Sequence, residues 1–194
     1  MMKFQILNIK NLTEADFEKA FEGLSSERKQ RCLRYKFLED RRRMAFADSL
    51  LKKLIKEELK SDEISVYNLP SGKPVAKAKE KEIFVSITHS GDFVACAIAD
   101  TSVGIDLEAK REIKPEFINR VLSEAELEFV KKSDDFQTAF LKIWTAKEAY
   151  LKLTGQGLSA FNKAEVLPIL RGESDFLFES VIEQFYVCTV IYKN

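Results

Sequence analysis

Two acids at positions 106 and 108 and a Lys-Glu pair at 147 and 148 have the residue types and spacing for chemistry on a charged ligand. Val103-Gly104-Ile105-Asp106-Leu107-Glu108 alternates with period two. Val103, Ile105 and Leu107 therefore share one face of a strand, and Asp106 and Glu108 share the other. Carboxylates at i,i+2 on a strand stand roughly 7 Å apart, close enough to share one hard cation, which takes oxygen ligands. The same pattern also describes an acidic, solvated strand face. Further on, Trp144-Thr145-Ala146-Lys147-Glu148-Ala149-Tyr150-Leu151-Lys152 reads as helix. At about 100° per residue, Ala139, Ile143, Ala146, Tyr150 and Leu153 fall on one side, and Phe140, Trp144 and Leu151 widen that arc. Lys147 lies inside the arc, where a cation loses its water unless an anion meets it. It is either a cation lining a cleft, paired with an acid or a phosphate, or a snorkelling lysine. Glu148 sits at the edge of the arc. With Lys152 it forms either a surface i,i+4 pair worth about 0.3 kcal/mol or part of a site.

The elements that must position these groups follow from local signals. Residues 4–9 read as a first strand. Thr13 opens a short helix, with Asp16 three residues on completing a box-like start. Ser25 or Ser26 starts a basic helix carrying Arg28, Lys29, Arg31 and Arg34. A longer helix follows, with Met44, Ala47, Leu51, Leu54 and Ile55 as its buried stripe up to Lys60. Residues 64–67 read as a strand and Pro70-Ser71-Gly72 as a turn. Residues 83–87 and 93–99 read as two strands around the turn His89-Ser90-Gly91-Asp92. After the acidic strand, residues 110–115 form a polar connector, and Ser123-Glu124-Ala125-Glu126 is a capping box opening a helix to about Lys131. The central helix runs from about Asp135 to Thr154, stopped by Gly155 and Gly157. Strands around residues 164–167, 176–181 and 184–192 finish the chain. Without strict β-α alternation the class is α+β.

With 194 residues, 45% of them hydrophobic and 32% charged, the chain has room for one domain or two small halves sharing a core. Zero net charge means that no global field steers it toward nucleic acid or membrane. Yet residues 28–56 hold eleven Lys/Arg against three acids, either the solvated face of helices or a site for a phosphate-rich ligand. Cys32, Cys96 and Cys188 lack partner spacing and lie in apolar segments, which favours buried free thiols in a reducing compartment. Met1-Met2-Lys3-Phe4-Gln5-Ile6 lacks the apolar run of a signal peptide, and the run at residues 93–99 is too short to cross a bilayer. A cytoplasmic location is expected.

Three segments together resemble the 4′-phosphopantetheinyl transferases, of the longer single-chain type related to the surfactin-synthetase activating enzyme. They are Ser71-Gly72-Lys73-Pro74 followed by Val85-Ser86-Ile87-Thr88-His89-Ser90-Gly91, then residues 104–108, then residues 144–152. The resemblance spans roughly residues 25–157. It implies two similar α+β halves in pseudo-twofold arrangement with the active cleft between them, here residues 1–101 and 102–194. It also implies transfer of phosphopantetheine from coenzyme A to a serine of an apo acyl or peptidyl carrier protein, with Mg²⁺ and release of adenosine 3′,5′-bisphosphate. By the same resemblance Asp106, Glu108 and Glu148 match the metal positions. Glu148 would also accept the serine proton, and Lys152 would contact the pyrophosphate. Arg28, Arg31, Arg43 and His89 would meet the 3′-phosphate, Lys73 the adenine, and Thr88 keeps the hydroxyl of a commoner serine. Lys147 would line the cleft. Met44 stands where relatives can carry a hydroxyl. Glu126 matches a supporting glutamate, although locally it is a good helix-capping residue. Two halves in one chain favour a monomer. A non-catalytic coenzyme A or carrier-protein binding module and a Mg²⁺ phosphohydrolase are the alternative readings.

Overall fold

The computed structural model describes residues 1–69 and 72–193. Pro70 and Ser71, the first two residues of the expected turn, lie outside them. The chain begins with β1 (Met2–Asn8), α1 (Glu14–Glu22), α2 (Ser26–Arg34) and α3 (Leu38–Leu59). It continues with β2 (Ile64–Asn68), β3 (Pro74–Ala78), β4 (Lys81–Ser90), β5 (Phe93–Ala99) and β6 (Val103–Ala109). Then come α4 (Pro115–Val121), α5 (Glu124–Lys131), α6 (Phe136–Thr154), a 3-10 turn (Leu158–Lys163), α7 (Leu167–Leu170), β7 (Phe176–Ile182) and β8 (Tyr186–Lys193). Thr13 and Ser123 each close a capping box, with Asp16 and Glu126 as partners. Ser25 caps α2 and Asp135 caps α6, and Gly155 ends α6 in the left-handed region that glycine adopts without Cβ strain.

Two antiparallel sheets result, in the orders β1-β5-β4-β3-β2 and β6-β8-β7. Each carries one long helix. α3 packs Ala47, Leu51, Leu54 and Ile55 on Val85, Val94, Cys96 and Ile98 of the first sheet. α6 packs Ile143, Ala146, Ala149 and Leu153 against Val187 and Ile191 of β8. The chain is thus α+β in two halves. The opposite face of β5 presents Ala95, Ala97 and Ala99, whose small side chains let Val103, Ile105 and Leu107 of β6 close a shared core with Cys188 and Val190. All three cysteines are buried and free.

Four expectations need correction. His89 and Ser90 are not turn residues: they end β4, paired with Val94 and Phe93, so a two-residue hairpin turn at Gly91-Asp92 suffices. Residues 164–167 form no strand, because the 3-10 turn and α7 occupy this stretch and Pro168 fits the first turn of a helix. α4 takes residues read as the end of a connector and beyond, again with proline at its start. β3 is a further strand, pairing β2 with β4.

Candidate active site

The site grows from the contact of β6 with α6. A Cβ on Gly104 would stand 1.9 Å from the carbonyl oxygen of Ala149, so only glycine lets α6 lie this close to β6. That approach sets Glu148 and Lys152, one helical turn apart, above the acidic residues of the strand. Lys152 Nζ donates to Oδ1 of Asp106 at 2.6 Å and to the carbonyl of Ile105 at 3.2 Å. From the other half, Thr88 Oγ1 donates to the same Oδ1 at 2.8 Å, and Ser90 Oγ donates to Oε2 of Glu108 at 2.7 Å. Asp106 is only 4% exposed, which removes the solvated-strand reading. Its Oδ2 is buried and has no hydrogen-bond partner among the described residues.

The electrostatics are those of crowded, half-buried acids. Burial pushes Glu148 up to about 7, and the charges of Asp106 and Glu108 add to it while Lys152 pulls the other way. Glu108 is raised by burial too, offset by the hydrogen bond from Ser90. Among the described residues, no three His, Cys, Asp or Glu side chains converge closely enough to share an ion as they stand. Lys152 is the cation on Asp106 in this arrangement.

A cavity of about 600 Å³ opens above these groups, within the range of cofactor pockets. Arg28, Arg31, Lys73, Thr88, His89, Asp106, Glu108, Glu148 and Lys152 all line it, gathered from both halves. Arg28 is held there by a buried ion pair with Asp48, which Lys52 shares at 2.9 Å. Lys73 donates to the carbonyl of Leu153 at 2.8 Å, near the end of α6, and its burial lowers its pKa. His89 is depressed by burial first and by Arg43 and Lys152 next. Met44 also lines the cavity.

Two of the expected ligand contacts are placed elsewhere. Arg43 is not among the lining residues, and its guanidinium bonds Asp40 at 2.7 Å and the carbonyl of Gly91 at 3.1 Å. Lys147 is 1% exposed and donates to both oxygens of Glu126 at 2.8 Å, beneath the ring of Phe161. A cation so enclosed needs its carboxylate, so the anion implied by its place in the apolar arc is Glu126. Glu126 meanwhile completes the cap of α5 through the Ser123 amide at 2.9 Å. Ser86, Tyr35 and Asn68 also line the cavity and were not anticipated. Only Ser86 left a signal, the alternating hydroxyls of Val85-Ser86-Ile87-Thr88-His89-Ser90.

Comparison with known proteins gives the family. Residues 102–190 match the model of the 4′-phosphopantetheinyl transferase superfamily, and residues 11–101 match the 4′-phosphopantetheinyl transferase, N-terminal model. The chain is 31% identical over 152 residues to 4′-phosphopantetheinyl transferase Sfp of Bacillus subtilis strain 168, covering 76% of this chain and 67% of that one. The chain belongs to the 4′-phosphopantetheinyl transferase family. Its similarity to 4′-phosphopantetheinyl transferase psf-1 of Bacillus pumilus is 31% over 166 residues, 81% of this chain and 71% of that protein. With 4′-phosphopantetheinyl transferase HetI of Nostoc sp. PCC 7120 it shares 30% identity over 152 residues, 74% and 64% of the two chains. The protein is accordingly an enzyme of this transferase class. Among the described residues no helix is long and apolar enough to cross a membrane.

Proposed function

We propose that the protein moves the 4′-phosphopantetheine group from coenzyme A to a serine of an apo acyl or peptidyl carrier protein, with Mg²⁺, releasing adenosine 3′,5′-bisphosphate. The observation that carries this reading is Asp106. It is a buried carboxylate at the junction of the halves, with one oxygen accepting hydrogen bonds from both Thr88 and Lys152 and the other without a partner among the described residues. An unpaired buried carboxylate oxygen is costly. Beside it, Glu148 and Glu108 are both raised by burial and by surplus negative charge. An all-oxygen donor set with excess negative charge fits a hard divalent cation, and Asp106, Glu108 and Glu148 would hold it. Bound there, Mg²⁺ would supply charge neutralisation on the pyrophosphate oxygens.

The chain's own groups account for the rest. Glu148, titrating near neutrality, is matched to accept the proton of the carrier serine as its oxygen attacks phosphorus. The bond from that phosphorus to the leaving nucleotide phosphate breaks, and the electron pair stays on the leaving oxygen. Lys152 puts a positive charge beside the pyrophosphate. On the facing wall Arg28, Arg31 and His89 suit the 3′-phosphate and Lys73 the adenine side, and Thr88 holds Asp106 in place between them. One chain supplies both walls, so a monomer suffices. Buried free thiols suit a reducing, cytoplasmic setting.

The test is incubation with coenzyme A, Mg²⁺ and an apo carrier, read by intact mass. A gain of one phosphopantetheine that a chelator prevents is expected. A carrier of unchanged mass across several acyl and peptidyl carriers contradicts the proposal.

A further inference from the structure

β4 and β6 belong to different sheets, so no backbone ladder fixes their register. Side chains do it instead. The amide of Ile105 donates to Ser86 Oγ at 3.1 Å, Thr88 donates to Asp106 at 2.8 Å, and Ser90 donates to Glu108 at 2.7 Å. Ser86, Thr88 and Ser90 alternate along one face of β4, while Ile83, Val85 and Ile87 face the α3 core. Both carboxylates lie 18 residues beyond their hydroxyl partners, so the two strands run the same way. The first rung satisfies a buried edge-strand amide, which must find a partner. The other two fall on the acidic pair.

We propose that Ser90 is a positioning residue that aims the Glu108 carboxylate into the cleft, as the last rung of this hydroxyl ladder. Glu108 is half-buried on a strand end and has three side-chain torsions. Fixing one of its oxygens selects one rotamer and leaves the other oxygen for a ligand. The N-terminal half thereby sets the geometry of carboxylates that belong to the C-terminal half. The proposal rests on the reading that Asp106, Glu108 and Glu148 hold Mg²⁺. Partners that orient a metal-binding carboxylate typically contribute about 10–100-fold to metal affinity.

The experiment is a calorimetric titration of Mg²⁺ into the protein saturated with coenzyme A, without carrier, for wild type, Ser90→Ala and Ser90→Thr. Ser90→Ala is expected to weaken Mg²⁺ binding about 10–100-fold, and Ser90→Thr, which keeps the hydroxyl, to restore most of it. Thermal unfolding of the metal-free proteins accompanies the titration, with similar midpoints expected for all three. Wild-type Mg²⁺ affinity in Ser90→Ala overturns the positioning role while leaving the metal reading intact. Equal weakening in Ser90→Thr also overturns it, because the hydroxyl would not be what matters. Wild-type protein that modifies carrier yet takes up no Mg²⁺ overturns both readings.

Discussion

The ammonium of Lys152 meets Asp106 at 2.6 Å across the junction of strand and helix, rather than Glu148 one turn back on its own helix. The consequence falls on Glu148. Among the described residues no cation lies within ion-pair distance of it, and it shares a half-buried site with two other acids. A surface i,i+4 pair would have left it an ordinary glutamate. Burial first, and the charges of Asp106 and Glu108 next, make it a carboxylate that titrates near neutrality, and Lys152, turned to Asp106, offsets this only in part.

That shift sets a pH dependence. An unfolded glutamate titrates at about 4.3, and folded Glu148 at about 7. Between these values the folded state binds more protons than the unfolded one, so stability falls as pH rises and the loss is complete above the folded pKa. Glu108, also raised, acts in the same direction. His89, depressed by burial, acts the opposite way up to its unfolded value of about 6.5. With a chelator present, urea unfolding between about pH 4.5 and 7.5 should show that Glu148→Gln gains stability relative to the wild type as pH rises. Identical slopes would contradict the assignment.

Gly104→Ala tests whether close strand–helix approach builds the site. The added methyl would collide with helix backbone at Ala149, which no rotamer change relieves. A loss of about 3 kcal/mol or more is expected in urea unfolding. A loss below about 1 kcal/mol would mean that α6 shifts freely over β6.

Lys147→Ala leaves the Glu126 carboxylate buried without its cation, and a loss of about 3–5 kcal/mol is expected. Lys147→Met combined with Glu126→Gln removes both charges and keeps an oxygen for the Ser123 cap. The pair should regain most of the loss, measured by the same unfolding midpoints. A neutral Lys147→Ala would mean that the ammonium is not held in the core.

Where a signal was local, the residues disclosed the structure. Thr13 with Asp16 and Ser123 with Glu126 mark helix starts within four residues, and Gly155 marks a stop. Residues 93–99 form a strand because an unbroken apolar run is covered on both faces. β3 escaped because Val75-Ala76-Lys77-Ala78 has weak strand preference and is ordered by pairing on both sides. Period two put Asp106 and Glu108 on one face, but the burial of Asp106 depends on Thr88 and Lys152, which are distant in sequence. Lys147 was legible as a cation needing an anion. Which anion it meets was not, since Glu126 lies 21 residues away on another helix.

In the proposed function Glu148, set among Asp106, Glu108 and Lys152, would take the proton of the carrier serine. The most direct measurement follows the intact mass of an apo carrier over time with coenzyme A and Mg²⁺, comparing wild type with Glu148→Gln. The amide keeps length and helix propensity but can neither take the serine proton nor balance a divalent charge. Loss of the base alone typically slows a reaction by about 10²–10⁴-fold, so the wild type should load the carrier while Glu148→Gln, folded and at least as heat-stable without Mg²⁺, barely does. A Glu148→Gln protein that loads the carrier at half the wild-type rate or faster would contradict the account.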